Sequence, residues 1–136
     1  MATNTWSRAG SAGVWSTDAD WSLGHKPAAG EDIVFDATSV QNCTVDEATA
    51  ALGTFTIAAA YTGTYNDGGK AHTIAGTVSI TPGGTFTASG TWTQTGDGNF
   101  TMADAGTYGA ASMNVILQGT GILSIAKASL VIRNLT

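Results

Sequence analysis

Charge is scarce in this 136-residue sequence: 11% of residues are charged, against about a quarter in an ordinary soluble domain. With only five lysines and arginines and no basic stripe, the counterion release that supports nucleic-acid binding is missing, which sets DNA and RNA aside as partners. Cysteine occurs once and proline twice. A lone Cys43 closes no internal disulfide, fits a reducing compartment, and reads as a small buried hydrophobe. No apolar run has the length of a helical membrane span. Met1 to Gly10 carries neither the basic segment nor the apolar stretch of a secretory signal, so a chain made and folded in the cytosol is expected and the Asn42-Cys43-Thr44 sequon reads as chance. Leu, Ile, Val and Phe make up less than a fifth of the chain. Any core must therefore be thin and regular, and the length suits one domain.

What the sequence has in abundance is glycine, 18 residues of it, and it recurs with a period. Gly53-Thr54-Phe55-Thr56-Ile57 aligns with Gly76-Thr77-Val78-Ser79-Ile80, with Gly98-Asn99-Phe100-Thr101-Met102, and with Gly121-Ile122-Leu123-Ser124-Ile125. The leading glycines stand 23, 22 and 23 residues apart. Polar and apolar residues alternate in each unit, apart from Ile122, the pattern of a short strand with one face buried. A second series, Gly63-Thr64-Tyr65, Gly84-Thr85-Phe86 and Gly106-Thr107-Tyr108, runs between the members of the first. A looser third set of apolar positions is Ile74, Trp92 and Ile116. Gly-rich corners such as Asn66-Asp67-Gly68-Gly69 and Pro82-Gly83-Gly84 separate the strands.

An antiparallel β-sandwich or jelly roll would pair each strand with its neighbour in sequence, and nothing in it would bring residue types back at every third strand. A parallel β-helix stacks each strand on its equivalent one turn later, and there the period is required. The expected fold is all-β: a short parallel β-helix of about four rungs, at about 22 residues per turn. Phe55, Val78, Phe100 and Leu123 should form one internal ladder, and Ile57, Ile80, Met102 and Ile125 the next. Thr and Ser on the outer positions suit both strand geometry and water.

A β-helix has two ends with unpaired backbone and an open core. Residues 1–50 interrupt the repeat, carry Trp6, Trp15 and Trp21, and read as an N-terminal cap ahead of rungs over 51–136. The last stretch, Leu130 to Thr136, is apolar and has no polar cap, so association through it is expected, with a homotrimer the first choice. Trp6, Trp15, Trp21, Leu130, Ile132 and Leu135 are the candidate interface residues. The net charge of −5 arises in the first fifty residues, which could meet a basic partner surface.

Catalytic groupings are missing, and no enzymatic activity is expected. His25 belongs to a Gly/Pro turn and reads as a solvated loop residue; His72 adjoins a strand and is expected at the surface. Neither has metal-ligand neighbours at the right spacing, and no cofactor is implied. Glu31, Asp32 and Asp36, or Asp67 with turn carbonyls, could flank Ca²⁺. Solvated strand-bracketing acids are the expected role of Asp32 and Asp36. Trp92, Tyr61 and Trp6 would be the stacking residues if the protein bound sugar, although packing is the expected fate of each.

Trp15, then Asp20-Trp21-Ser22-x-Gly24-x-x-Pro27-x-x-Gly30-x-Asp32-Ile33-Val34-Phe35-Asp36 running into Gly/Thr-rich rungs, resembles the N-terminal lead-in of β-helical surface proteins. Related patterns occur in autotransporter-like passengers and in small bacteriophage virion proteins of the capsid-decoration and head- or tail-fibre type. Passengers and adhesins need export signals and anchors, so the phage branch is preferred. That resemblance implies a virion protein assembled in the host cytoplasm, binding the major capsid protein or another virion component, and touching neither nucleic acid nor membrane. A carbohydrate-binding or adhesive surface module and a self-assembling filament protein are the alternatives.

Overall fold

The computed structural model describes residues 1–109, 112–126 and 131–135. An incomplete first turn holds β1 (Thr3–Thr5) and β2 (Gly13–Val14). Four complete three-strand turns follow: β3 (Asp32–Phe35), β4 (Cys43–Thr44) and β5 (Ala51–Leu52); β6 (Phe55–Ile57), β7 (Thr64–Asn66) and β8 (His72–Ile74); β9 (Val78–Ile80), β10 (Thr85–Thr87) and β11 (Thr91–Gln94); β12 (Phe100–Met102), β13 (Thr107–Tyr108) and β14 (Ser112–Leu117). β15 (Leu123–Ile125) and β16 (Val131–Leu135) form a last partial turn. The strands stack into three sheets, in the orders β1-β3-β6-β9-β12-β15, β2-β4-β7-β10-β13 and β5-β8-β11-β14-β16. All pairing between these strands is parallel, so the chain is a stack of turns and not an antiparallel sandwich.

The inner ladders run in the expected register. Ile33, Phe55, Val78, Phe100 and Leu123 pair in sequence, as do Phe35, Ile57, Ile80, Met102 and Ile125. Cys43, Tyr65, Phe86 and Tyr108 form the column of the second sheet. Every apolar member of these columns from Ile33 to Met102 is fully enclosed. A turn so poor in large side chains buries them by laying each one on its equivalent above and below, and ring contacts from Phe35 to Phe55 to Tyr65 to Phe86 join the columns across the interior.

Two features depart from the sequence expectation. The coil begins before residue 51: Ile33 and Phe35 pair with Phe55 and Ile57 at a 22-residue offset, so β3, β4 and β5 already make a complete turn within the cap segment and at its boundary. In the third sheet Trp92 pairs with His72 and Val115, while Ile74 pairs with Gln94. Ile116 pairs with outward Thr93 and belongs to no inner column. His72, expected at the surface, is fully enclosed.

The glycine period has a steric cause. At the corner before β12, a Cβ on Gly98 would lie 2.5 Å from the backbone carbon of Gly76 and 2.5 Å from the nitrogen of Thr77, one turn below. Only a residue without a side chain lets the turns approach so closely. Asp and Asn side chains at the corners supply acceptors where ladder bonds stop. Asp32 Oδ1 accepts Thr54 N–H at 2.9 Å, Asn42 Oδ1 accepts Thr64 N–H at 2.9 Å, and Asp97 Oδ1 accepts Thr120 N–H at 3.0 Å.

Candidate functional site

The two ends of the coil, and one polar cluster inside it, are where chemistry or recognition could reside. At the first end, Trp21 lies edge-on to both Trp6 and Trp15, with ring centroids 5.2 Å and 4.8 Å away. Trp6 Nε1–H donates to the Gln41 carbonyl and Trp21 Nε1–H to the Trp15 carbonyl. With Trp6, Trp15 and Trp21 at 0%, 1% and 2% exposure, these candidate interface residues form a roof over the column inside and offer no ring to a partner. The free edge of β1 is closed as well. Ser22 N–H donates to the Thr5 carbonyl, Thr5 N–H to Ser22 Oγ, and Ser7 N–H to the Asp20 carbonyl, around an antiparallel Trp6–Trp21 bridge. The chain turns into this crossing through a short 3-10 helix, Asp18–Asp20, and Arg8 holds the enclosed Asp20 carboxylate at 2.7 Å.

The last turn is different. Leu123 and Ile125 occupy the two inner columns whose earlier members are wholly enclosed, yet both are half-buried, and Ile122 is exposed. Ile132 and Leu135 pair with Met113 and Val115 of β14. Leu130 lies outside the described residues.

The inner polar cluster lies between the second and third complete turns. His72 stacks on Trp92, with ring centroids 4.0 Å apart and planes 7° from parallel. Its Nε2 is 2.6 Å from the Tyr65 hydroxyl and its Nδ1 is 3.1 Å from the Lys70 carbonyl. Beside it the enclosed Asp67 carboxylate accepts N–H bonds from Gly69, Ser89, Gly90 and Trp92 Nε1. Four donors around one carboxylate fix a corner and leave it no free face for a cation. Burial holds His72 down from its ordinary value to about 4 and pushes the Tyr65 hydroxyl well up. Sequence reasoning missed this cluster because His72 and Asp67 look like surface polar residues. The signal was positional, since His72-Thr73-Ile74 lies in register with Trp92-Thr93-Gln94 one turn on.

The remaining candidates are separate. Glu31 accepts from Asn4 Nδ2 and Ala28 N–H, Asp32 from Thr54, and Asp36 from Thr38 N–H, so each acid serves a local hydrogen bond. His25 is exposed, its Nε2 3.4 Å from Glu31 Oε1. Among the described residues no group of three or more His, Cys, Asp or Glu could hold a metal ion. Trp92, Tyr61 and Trp6, the sugar-stacking candidates, are all enclosed, and Tyr61 spends its hydroxyl on the Gln41 carbonyl. Cys43 is buried, and burial pushes its thiol well above the ordinary range, which makes it an inert core residue. Searches against protein-family models, curated proteins and solved structures find no match for the chain.

Proposed function

We propose that this protein is a non-enzymatic structural component of a bacteriophage particle, of the capsid-decorating or head-fibre type, bound to the major capsid protein or another virion protein and acting as a homotrimer. The observation that carries the proposal is the contrast between the ends. One is roofed by three tryptophans and sealed along β1, whereas the other leaves Leu123 and Ile125 half-buried at the head of their columns. Apolar side chains left half-buried at the last described inner positions fit docking through that face, with the tryptophan roof turned outward. Outward strand positions such as Thr64, Thr85, Thr107, Thr56, Ser79 and Thr101 carry no charge, which suits a rigid spacer.

The filament alternative is less favoured, because head-to-tail stacking needs both ends open and the antiparallel crossing at Ser22 occupies one of them. The sugar-binding alternative loses the three rings it would use. The deciding experiment is a density map of purified particles, supported by light scattering on the isolated protein. The expected result is a rod about 25 Å tall, five strand spacings, seated by the β15 and β16 end on the shell. Recovery of the protein solely from lysed cells and never from particles overturns the assignment, and a stable monomer at high concentration overturns the trimer.

A further inference from the structure

We propose that the buried His72–Tyr65 pair is an acid-release catch, in which proton uptake by His72 unlocks the coil at its second complete turn. The protonation state follows from the partners. The Lys70 carbonyl can only accept, so Nδ1 carries a hydrogen, and Nε2 is then the acceptor of the Tyr65 hydroxyl. In this neutral form both ring nitrogens are satisfied at zero exposure. A second proton would turn Nε2 into a donor facing a donor, force the Tyr65 hydroxyl to reverse, and place a cation in a closed apolar column.

The groups around His72 decide whether that cation is tolerated. On its own turn stand Asp67, whose carboxylate is already shared among four N–H donors, and Tyr65, with the Cys43 thiol of the turn before packed behind it. The turn after contributes the Trp92 ring, and Trp15 and Phe55 approach edge-on at 6.3 Å and 6.2 Å. Asp67 is the single nearby negative charge and is committed elsewhere, so burial prevails and the neutral ring is held to about pH 4. His72 lies in β8, between β5 and β11, so its displacement parts the third sheet in mid-stack.

The sign follows from linkage. With the folded ring at about 4 and a free one near 6.5, the contribution of His72 to stability is complete above pH 6.5, falls as the pH drops to about 4, and changes no further below it. The effect reads as a folding constant that falls as the pH drops between these two values. The test is reversible denaturation of the full chain, carrying His25→Gln to silence the exposed histidine, from about pH 7.5 to about pH 4. The parent should lose stability steeply across that window, and His72→Gln, whose carboxamide can accept from Tyr65 and donate to Lys70, should lose much less, keeping only the shallow carboxylate slope near pH 4. An equal slope in the His72→Gln protein overturns the proposal. A second measurement needs no variant at position 72: the ring signals of His72 in the folded protein should titrate near pH 4, with quenching of Trp92 fluorescence in step. Titration near the ordinary histidine value overturns it equally.

Discussion

In residues 1–50 order rests on particular partners. Arg8 meets Asp20 and Lys26 meets Glu47, each at 2.7 Å, and among the described residues these are the two pairs joining an acid to lysine or arginine. Asn4 bridges the His25 carbonyl and Glu31, and Asp46 receives both the backbone and the hydroxyl of Ser16. From Gly53 onward the first two sheets need few such singular contacts, because their residues meet like residues one turn away: Phe55 on Val78 on Phe100, Thr64 on Thr85 on Thr107. The comparison teaches that a repeat replaces chemical specificity by positional agreement. The first turns, with no preceding turn to copy, must be specified one contact at a time.

The sharpest way to break this contrast is to disturb one corner of the repeat. Gly98→Val places branched carbon against the backbone of Gly76 and Thr77 with no flexible group to give way. The expected loss exceeds about 4 kcal/mol, read by urea denaturation as a chain with no cooperative transition. Arg8→Ala should cost less, about 2 kcal/mol, because it strands an enclosed Asp20 carboxylate whose partner is itself partly exposed. Its signature is local: hydrogen exchange should quicken across β1 and β2 while β9 and β12 stay protected. Lys26→Ala should do least, since its pair with Glu47 is open to water on both sides, and the thermal midpoint should match the parent's in moderate salt. A Lys26 effect equal to that of Arg8 would mean that charge as such, and not enclosure, orders the first turns.

Much of the coil was legible in the sequence, and the reasons are specific. The Gly-Thr units announce themselves because stacking copies residue types, so the ladders through Phe55 and Ile57 could be placed residue by residue. The turn begun by β3 was harder to see: Asp32-Ile33-Val34-Phe35 lies 22 residues before Thr54-Phe55-Thr56-Ile57, but Glu31 stands where the repeat has glycine. The third sheet was misaligned because an apolar search passes over His72 and Gln94, which occupy inner positions through hydrogen bonds to Tyr65 and to the Gly76 carbonyl. Polar residues inside a column carry no periodic mark. The closing of the first end was only half legible, since three tryptophans announce a roof but not the antiparallel crossing that seals β1.

The offset of 22 or 23 residues between partners in the first sheet has a further consequence for how such a chain can change in length. A tandem duplication of one period would insert a storey whose floor and ceiling already match their neighbours, whereas adding half a period would set glycine under side chain where the added piece meets the turn below. Size in this architecture is therefore quantised, and a gene coding for it can grow or shrink by whole storeys while its finished end remains untouched.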